Sequence, residues 1–478
     1  MALLLLLAMT LLFSLRAFLG WRTGVLLMIA LAAVQDPLRK LVPGTPGWLV
    51  LATAPVFLAV VFTSATRTRN WWKEFRYCYP AIAKSIRLLA LLSLPAAFLS
   101  ATYGAGSWLL TIFGAFSYSV IFLAVIAGFH YSRSLSELRK LLAVYCLLHG
   151  AMLSGALLQY SGLFQGWSVL GAEALGYNWI RWGWGYTVDM IAGFYRSSDV
   201  MGWHAASVCM LSLVLARTSR GSRRGLWTAL SVMAMGALLL CGRRKMVYML
   251  PIFLVALTWV YWQAGRSGQV VAIVGLIAIP AASVFLIGDY LGERSANLRY
   301  YRGEGISDTT YDRVESEGFG ALIETYNQSG FFGEGLGTAT PGSHHLKVER
   351  PRVWQEGTSS RILVELGVPG MFGFLLVLIA ITHSLWKVTI SQLRARTPQS
   401  TYAAGMFAFF LANAGSLAVS GQILSDPFIA AFLGIMVGLL LSVDRLRPID
   451  PAGGKRMRDA APKPEFIARP PDGAPAGR

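Results

Sequence analysis

Five arginines stand where chemistry at a membrane surface could use them: Arg196, Arg243, Arg244, Arg313 and Arg361. Each lies beside or between long apolar stretches. A guanidinium in such a place is costly unless it has a partner. A phosphate-bearing headgroup or a diphosphate is one natural partner, because the planar fork meets phosphate oxygens in bidentate fashion. Asp189, Asp199, Glu315 and Glu317 are the protein's own alternatives for them. Arg361 and Glu365 are four apart, the spacing of a structural pair on a helix. The densest run is Cys241-Gly242-Arg243-Arg244-Lys245, a tight turn between two apolar segments.

A second kind of chemistry needs a base. Glu356 precedes the apolar segment that begins near residue 361, with Thr358 or Ser359 placed to cap that helix. A helix N-terminus favours the ionised carboxylate, which makes Glu356 either a capping residue or a general base. His344 and His345 are the other titratable candidates, as base or as donor to a phosphate. Adjacent histidines point in different directions and no third ligand has metal spacing, so no metal site is expected. Gly333, Gly335 and Gly337 let backbone N–H groups approach an oxygen-rich ligand. No Gly-Lys-Ser/Thr follows them, so this is not a nucleotide-binding P-loop. Trp179, Trp182, Trp184 and Trp354 could stack on sugars or anchor at the membrane interface.

The elements that must position these residues are membrane helices. Only 14% of the 478 residues are charged and 55% are hydrophobic, whereas soluble domains carry about a quarter charged residues. An ordinary soluble enzyme and a disordered chain are thereby excluded. A span needs about 20 apolar residues. Candidates are 2–18, 23–36, 47–63, 84–101, 107–130, 140–160, 200–216, 226–241, 246–263, 268–288, 362–387, 401–421 and 427–443. The first is read as a transmembrane helix, since no basic region precedes it as in a signal peptide. The fold class is all-α: a polytopic membrane protein of about 12–13 transmembrane helices with one large periplasmic loop.

The net charge of +18 is read as cytoplasmic loops near anionic lipid, and no nucleic-acid partner is expected. Segments 64–87 and 217–225, with Arg133, Arg139, Lys140, Arg394, Arg396 and the tail after 444, carry most of that charge and set the cytoplasmic side. The organisation is then 1–288, an N-terminal bundle with an external segment at 161–199; 289–360, the periplasmic loop; 361–445, C-terminal helices; and 446–478, a disordered basic tail. Ser307 to Gln328 reads as a helix lying along the membrane surface. The middles of the spans are expected to be nearly free of charge. That favours surface catalysis over transport, because transporters place charged or broken helices at mid-membrane.

The order of these motifs resembles the O-antigen ligase and O-antigen polymerase superfamily of bacterial inner-membrane glycosyltransferases, in an exopolysaccharide polymerase-like branch. Arg313 precedes Gly330-Phe-Phe-Gly-Glu-Gly-Leu-Gly-Thr, and Glu-Leu-Gly-x-x-Gly follows at 365–370. Cys241-Gly-Arg-Arg is similar to the family's turn between two spans, and Phe194-Tyr-Arg-Ser-Ser-Asp to its earlier external motif. The likeness covers roughly residues 160–440. It implies glycosyl transfer at the periplasmic face from an undecaprenyl-diphosphate-linked oligosaccharide to a glycan acceptor, without metal or cofactor. It implies the lipid bilayer and other membrane proteins of polysaccharide assembly as partners. Carried across, Arg243 matches the turn arginine and Arg313 the loop arginine. Many relatives have His-Asn where this chain has Glu356-Gly357, so either Glu356 replaces that histidine or His344 or His345 does its work. Polymerase and ligase are not separated by sequence, and a lipid-linked sugar transporter is the non-enzymatic rival.

Overall fold

A computed structural model describes residues 1–164, 166–176, 180–183, 186–271, 320–343, 346, 348, 357–419 and 422–446. The helices in chain order are α1 (Ala2–Leu19), α2 (Trp21–Lys40), α3 (Thr53–Arg67), α4 (Trp71–Cys78), α5 (Pro80–Leu92), α6 (Leu94–Ala101), α7 (Trp108–Tyr131) and α8 (Leu135–Ser161). After a two-stranded antiparallel hairpin, β1 (Ile180–Gly183) and β2 (Tyr186–Asp189), come α9 (Ser198–Arg217), α10 (Ser222–Leu240), α11 (Arg244–Val247) and α12 (Met249–Gln263). The remaining helices are α13 (Gly320–Ser329), α14 (Thr358–Arg394), α15 (Ser400–Val419), α16 (Gln422–Ser425) and α17 (Pro427–Leu441).

The protein is an all-α, multi-pass membrane protein, with the small hairpin its departure from pure helix. Among the described residues, eight helical segments are long and apolar enough to cross a membrane: α1, the segment ending in α3, α5–α6, α7, α8, α9, α11–α12 and α14. α1 shows why lipid is the solvent. Leu4, Leu5, Leu7, Leu11, Leu12, Leu15 and Leu19 are all exposed, an outward apolar face that water would not tolerate at this extent. Gly20 is extended, so α1 and α2 are two helices, and Gly24 of α2 lies directly on Ala17 of α1.

Local signals start the helices where the sequence supplies them. Ser134 caps α8 by accepting a hydrogen bond from the Glu137 amide (3.4 Å), and the Glu137 carboxylate accepts one from the Arg133 amide just ahead of the cap (2.7 Å). Ser197 caps α9 and Asp426 caps α17 in the same way.

At the centre lies α17, apolar all round and nearly all buried, packed against α7 and in contact with α15, α14, α3 and α2. Gly434 and Gly438, four apart, meet the carbonyl oxygens of Ile121 and Val125 on α7. Small residues at that spacing let two helix backbones approach within a membrane.

Contacts sort the helix ends into two faces. On one, Arg22 donates to the carbonyls of His130 (2.9 Å) and Tyr131 (2.7 Å), Arg67 to that of Leu19 (2.7 Å), Arg266 to that of Leu393 (2.6 Å), and Arg139 to Ser219 Oγ (3.0 Å). This is the basic face. On the far face the segment after α8 folds back over the bundle. Lys40 donates to the carbonyls of Val169 (3.0 Å) and Gly193 (2.9 Å), and Gln159 accepts from the amides of Ala192 and Gly193.

Two expectations need correction. The stretch 362–387 is not a uniform span: α14 begins at Thr358 and breaks at Gly367, whose φ of +66° is left-handed. Its N-cap is Gly357, not Thr358 or Ser359. Residues 289–319, most of 344–356 and 447–478 lie outside the described residues, and with them most of the expected periplasmic loop, the basic tail, most of the 268–288 span and all but the end of the helix expected from Ser307.

Candidate functional site

Three of the predicted arginines meet around the far ends of α9 and α17. Arg243, in the turn between α10 and α11, pairs with Asp199 in the first turn of α9 (2.8 Å) and donates to Ser198 Oγ (3.2 Å). Lys245 pairs with the same carboxylate (3.0 Å). Arg244 opens α11 beside them. Gly242 gives the turn its left-handed residue, φ +66°, and rests on Met190.

Arg196 stands just ahead of the Ser197 cap. It pairs with Asp36 of α2 (3.5 Å) and with Asp426, which at the same time accepts from the Phe428 and Ile429 amides as the cap of α17. Both carboxylates are almost fully buried. Burial works against the guanidinium charge, but Asp426 and Asp36 outweigh it and hold the pKa of Arg196 above its ordinary value.

The neighbour of Asp426 in sequence is Ser425, and it connects to Arg361. Arg361 donates to Ser425 Oγ (3.3 Å), Ser117 Oγ (2.9 Å) and Thr340 Oγ1 (2.8 Å), and pairs with Glu365 (3.4 Å). Thr340 in turn donates to Glu365 (2.7 Å). The expected Arg361–Glu365 pair is therefore present, wholly buried. Ser117 lies nine residues into α7, about 14 Å along its axis at 1.5 Å per residue. Arg361 thus meets α7 well inside that helix. The 15 residues of α17 span about 22 Å, less than the roughly 30 Å of a bilayer's hydrocarbon.

Beneath Arg196, two histidine rings stack. His149 and His204 have centroids 4.0 Å apart and planes within 8°. Tyr145 hydroxyl lies 3.0 Å from His204 Nδ1, and Tyr195 hydroxyl 3.1 Å from His149 Nδ1. Phe428 of α17 stacks against both histidines.

The glycine loop plays a different part from the one expected. The amides of Glu334 and Leu336 donate to the carbonyls of Val364 (2.6 Å) and Ala96 (3.0 Å), and those of Thr338 and Thr340 to loop carbonyls. A Cβ on Gly333 would lie 2.5 Å from the Val364 oxygen, and one on Gly367 2.5 Å from the Phe331 oxygen. The glycines dock backbone onto backbone across α6, α7 and the break in α14. They position Thr340 beside Arg361.

Glu356, His344, His345 and Arg313 lie outside the described residues, as do Trp179, Trp184 and Trp354 and the side chain of Trp182. Asp36, Lys40, Asp426 and the two stacked histidines escaped the sequence reading. Their one signal was the presence of ionisable residues inside or at the ends of apolar segments. No protein-family model matches this chain, and no curated protein matches it at a significant level.

Proposed function

We propose that the protein is a metal-independent glycosyltransferase of the bacterial inner membrane. It moves glycan from an undecaprenyl-diphosphate carrier to an acceptor hydroxyl at the periplasmic face and so polymerises surface polysaccharide repeat units. The basic face is then cytoplasmic, the far face periplasmic, and α2, α10, α15 and α17 are spans alongside the eight longer segments, with one more in 268–288. The observation that carries the reading is the convergence of Arg196, Arg243 and Arg361, with Lys245, where α9 and α17 begin. Helix N-termini add positive potential to the fixed guanidinium groups.

Transfer from a lipid diphosphate starts with a good leaving group. Two tasks remain: stabilising the departing diphosphate and taking the proton of the incoming hydroxyl. Arg243 and Lys245, mostly buried beside Asp199 but still reached by solvent, are assigned to the diphosphate, with Arg244 and Arg313 completing the site. Arg196 and Arg361, held by buried carboxylates, fix the walls. Glu356 is assigned as the base, with His344 or His345 as the alternatives.

The test is polymerisation in vitro with purified lipid-linked repeat unit. Glu356→Gln should lower turnover by about 10²–10⁴-fold, the usual contribution of a general base. The double variant His344→Ala, His345→Ala should be milder. Near-normal turnover by the Gln variant beside a dead double variant moves the base to the histidines. Products in a deletion strain separate polymerase from ligase: short chains indicate the former, intact lipid-linked polymer left unattached the latter.

One observation favours a second reading. α14 is broken at Gly367 beside a buried ion pair, the kind of element transporters use at mid-membrane. A lipid-linked sugar transporter would move the substrate across proteoliposomes without forming any glycosidic bond.

A further inference from the structure

The basic face carries a groove that the proposed reaction does not use. Between α3 and α5 the chain lays down α4, whose Phe75 is fully buried against Tyr79 and Phe129. That anchor fixes the outer side of α4 against the start of α5. The groove between them, of about 890 Å³, is lined by Arg69, Lys73, Arg76, Lys84 and Arg87, with Tyr77 at its side. All five cations are exposed.

The carboxylate of the groove, Glu74, is already engaged by Arg445 and faces His130 at 3.7 Å. None of the five cations has a carboxylate partner among the described residues. Arg87 lies over the Trp72 ring, 5.6 Å from its centroid, which holds one guanidinium in place. Five like charges gathered in one concavity repel each other, and the arrangement gains stability from a polyanion.

What lies next to the charges says which polyanion. Along α5, Lys84 and Arg87 give way to Leu88 and Leu91, and α6 continues with Leu94 and Phe98, all four exposed. Cations at the helix start followed by an outward apolar face match a phosphate headgroup with its acyl chains below it. A free phosphate would use only the first half of that surface.

We propose that this groove binds an anionic glycerophospholipid with two phosphodiesters in its headgroup. The test uses the full chain in phosphatidylcholine nanodiscs, with lipid retention read by native mass spectrometry as diphosphatidylglycerol is titrated. The variant Lys73→Gln, Lys84→Gln, Arg87→Gln should bind it about 100-fold more weakly, from the loss of three surface cations. The control Arg220→Gln, Arg223→Gln, Arg224→Gln removes equal charge from the same face and should bind as wild type. Lys73→Arg with Lys84→Arg should also keep the lipid, which shows that the fold survives exchange at these positions. Phosphatidylglycerol, with one phosphodiester, should bind at least about tenfold more weakly. The proposal is overturned by wild-type retention in the glutamine variant, by equal loss in the control, or by loss in the arginine variant. It is also overturned if phosphatidylglycerol binds as tightly, or if inorganic pyrophosphate displaces the lipid at similar concentration.

Discussion

Arg196 and Arg243 are held in different ways, and the difference decides what their removal does. Arg196 neutralises two buried carboxylates from distant parts of the chain. Arg196→Ala leaves both uncompensated, which costs about 3–5 kcal/mol when a buried pair loses one member. The expected result is a clearly lower melting temperature in detergent and less protein in the membrane. Arg243→Ala leaves Asp199 with Lys245 at 3.0 Å, so melting should move little while polymer formation is lost. Arg243→Lys should restore little activity, because the ammonium lacks the bidentate fork; normal polymer from it would remove the diphosphate role. The turn at Arg243 was legible because its charges sit against the bias of the loops. Asp36 and Asp426 were not, because their partnership with Arg196 exists only once α2 and α17 are packed side by side.

Gly330 and Gly333 separate two roles that look alike in sequence. Both have positive φ, +69° and +73°. Around Gly330 there is open space, whereas a Cβ on Gly333 meets the Val364 oxygen and the Gly367 amide. Gly330→Ala should cost only the backbone strain, about 1–2 kcal/mol. Gly333→Ala should cost more and undock the loop from α14, seen as faster proteolysis between residues 330 and 343. Equal stability of the two variants would show that the docking contributes nothing. The apolar runs were readable as helices because lipid and core demand the same residue types, but Arg16 and Arg22 divide the first two only poorly, so the turn at Gly20 that separates α1 from α2 was not. The break in α14 was not either, since Gly367 falls inside the apolar stretch 362–387 taken as one span, and the loop carbonyl of Phe331 packs where its Cβ would be. The same docking explains why the glycine run resembled an anion cradle: close approach of backbone to backbone and of backbone to phosphate ask for the same residue.

At the scale of the molecule, the two faces can be told apart with one native residue. Cys78 is exposed on the basic face, while Cys146, Cys209 and Cys241 are buried. With that face cytoplasmic, an impermeant maleimide should leave Cys78 unlabelled in intact cells and label it after permeabilisation. Partial burial of the thiol, with Glu74 adding and Arg445 opposing, raises its pKa above the ordinary value. The thiolate is therefore scarcer near neutral pH than in a free thiol, and labelling should accelerate as pH rises above it. A cysteine placed at Gly106, on the far face, should label in intact cells; the reverse pattern would invert the orientation. The membrane class and the sidedness of charge came from composition and loop counting. The buried network around Arg196 and Arg361 did not, because it joins residues from α2, α7, α14 and α17 that only packing brings together.

The position of α17 also bears on how the protein is made. It is the hub of the bundle, in contact with α2, α3, α7, α14 and α15, yet of the described helices it leaves the ribosome last. Until it is delivered, α7 presents a groove whose carbonyls await Gly434 and Gly438, and Arg196 has only Asp36 to answer it. The helices made earlier must therefore be kept apart, or loosely gathered, for most of synthesis, and closure of the bundle and completion of the arginine site become a single late event.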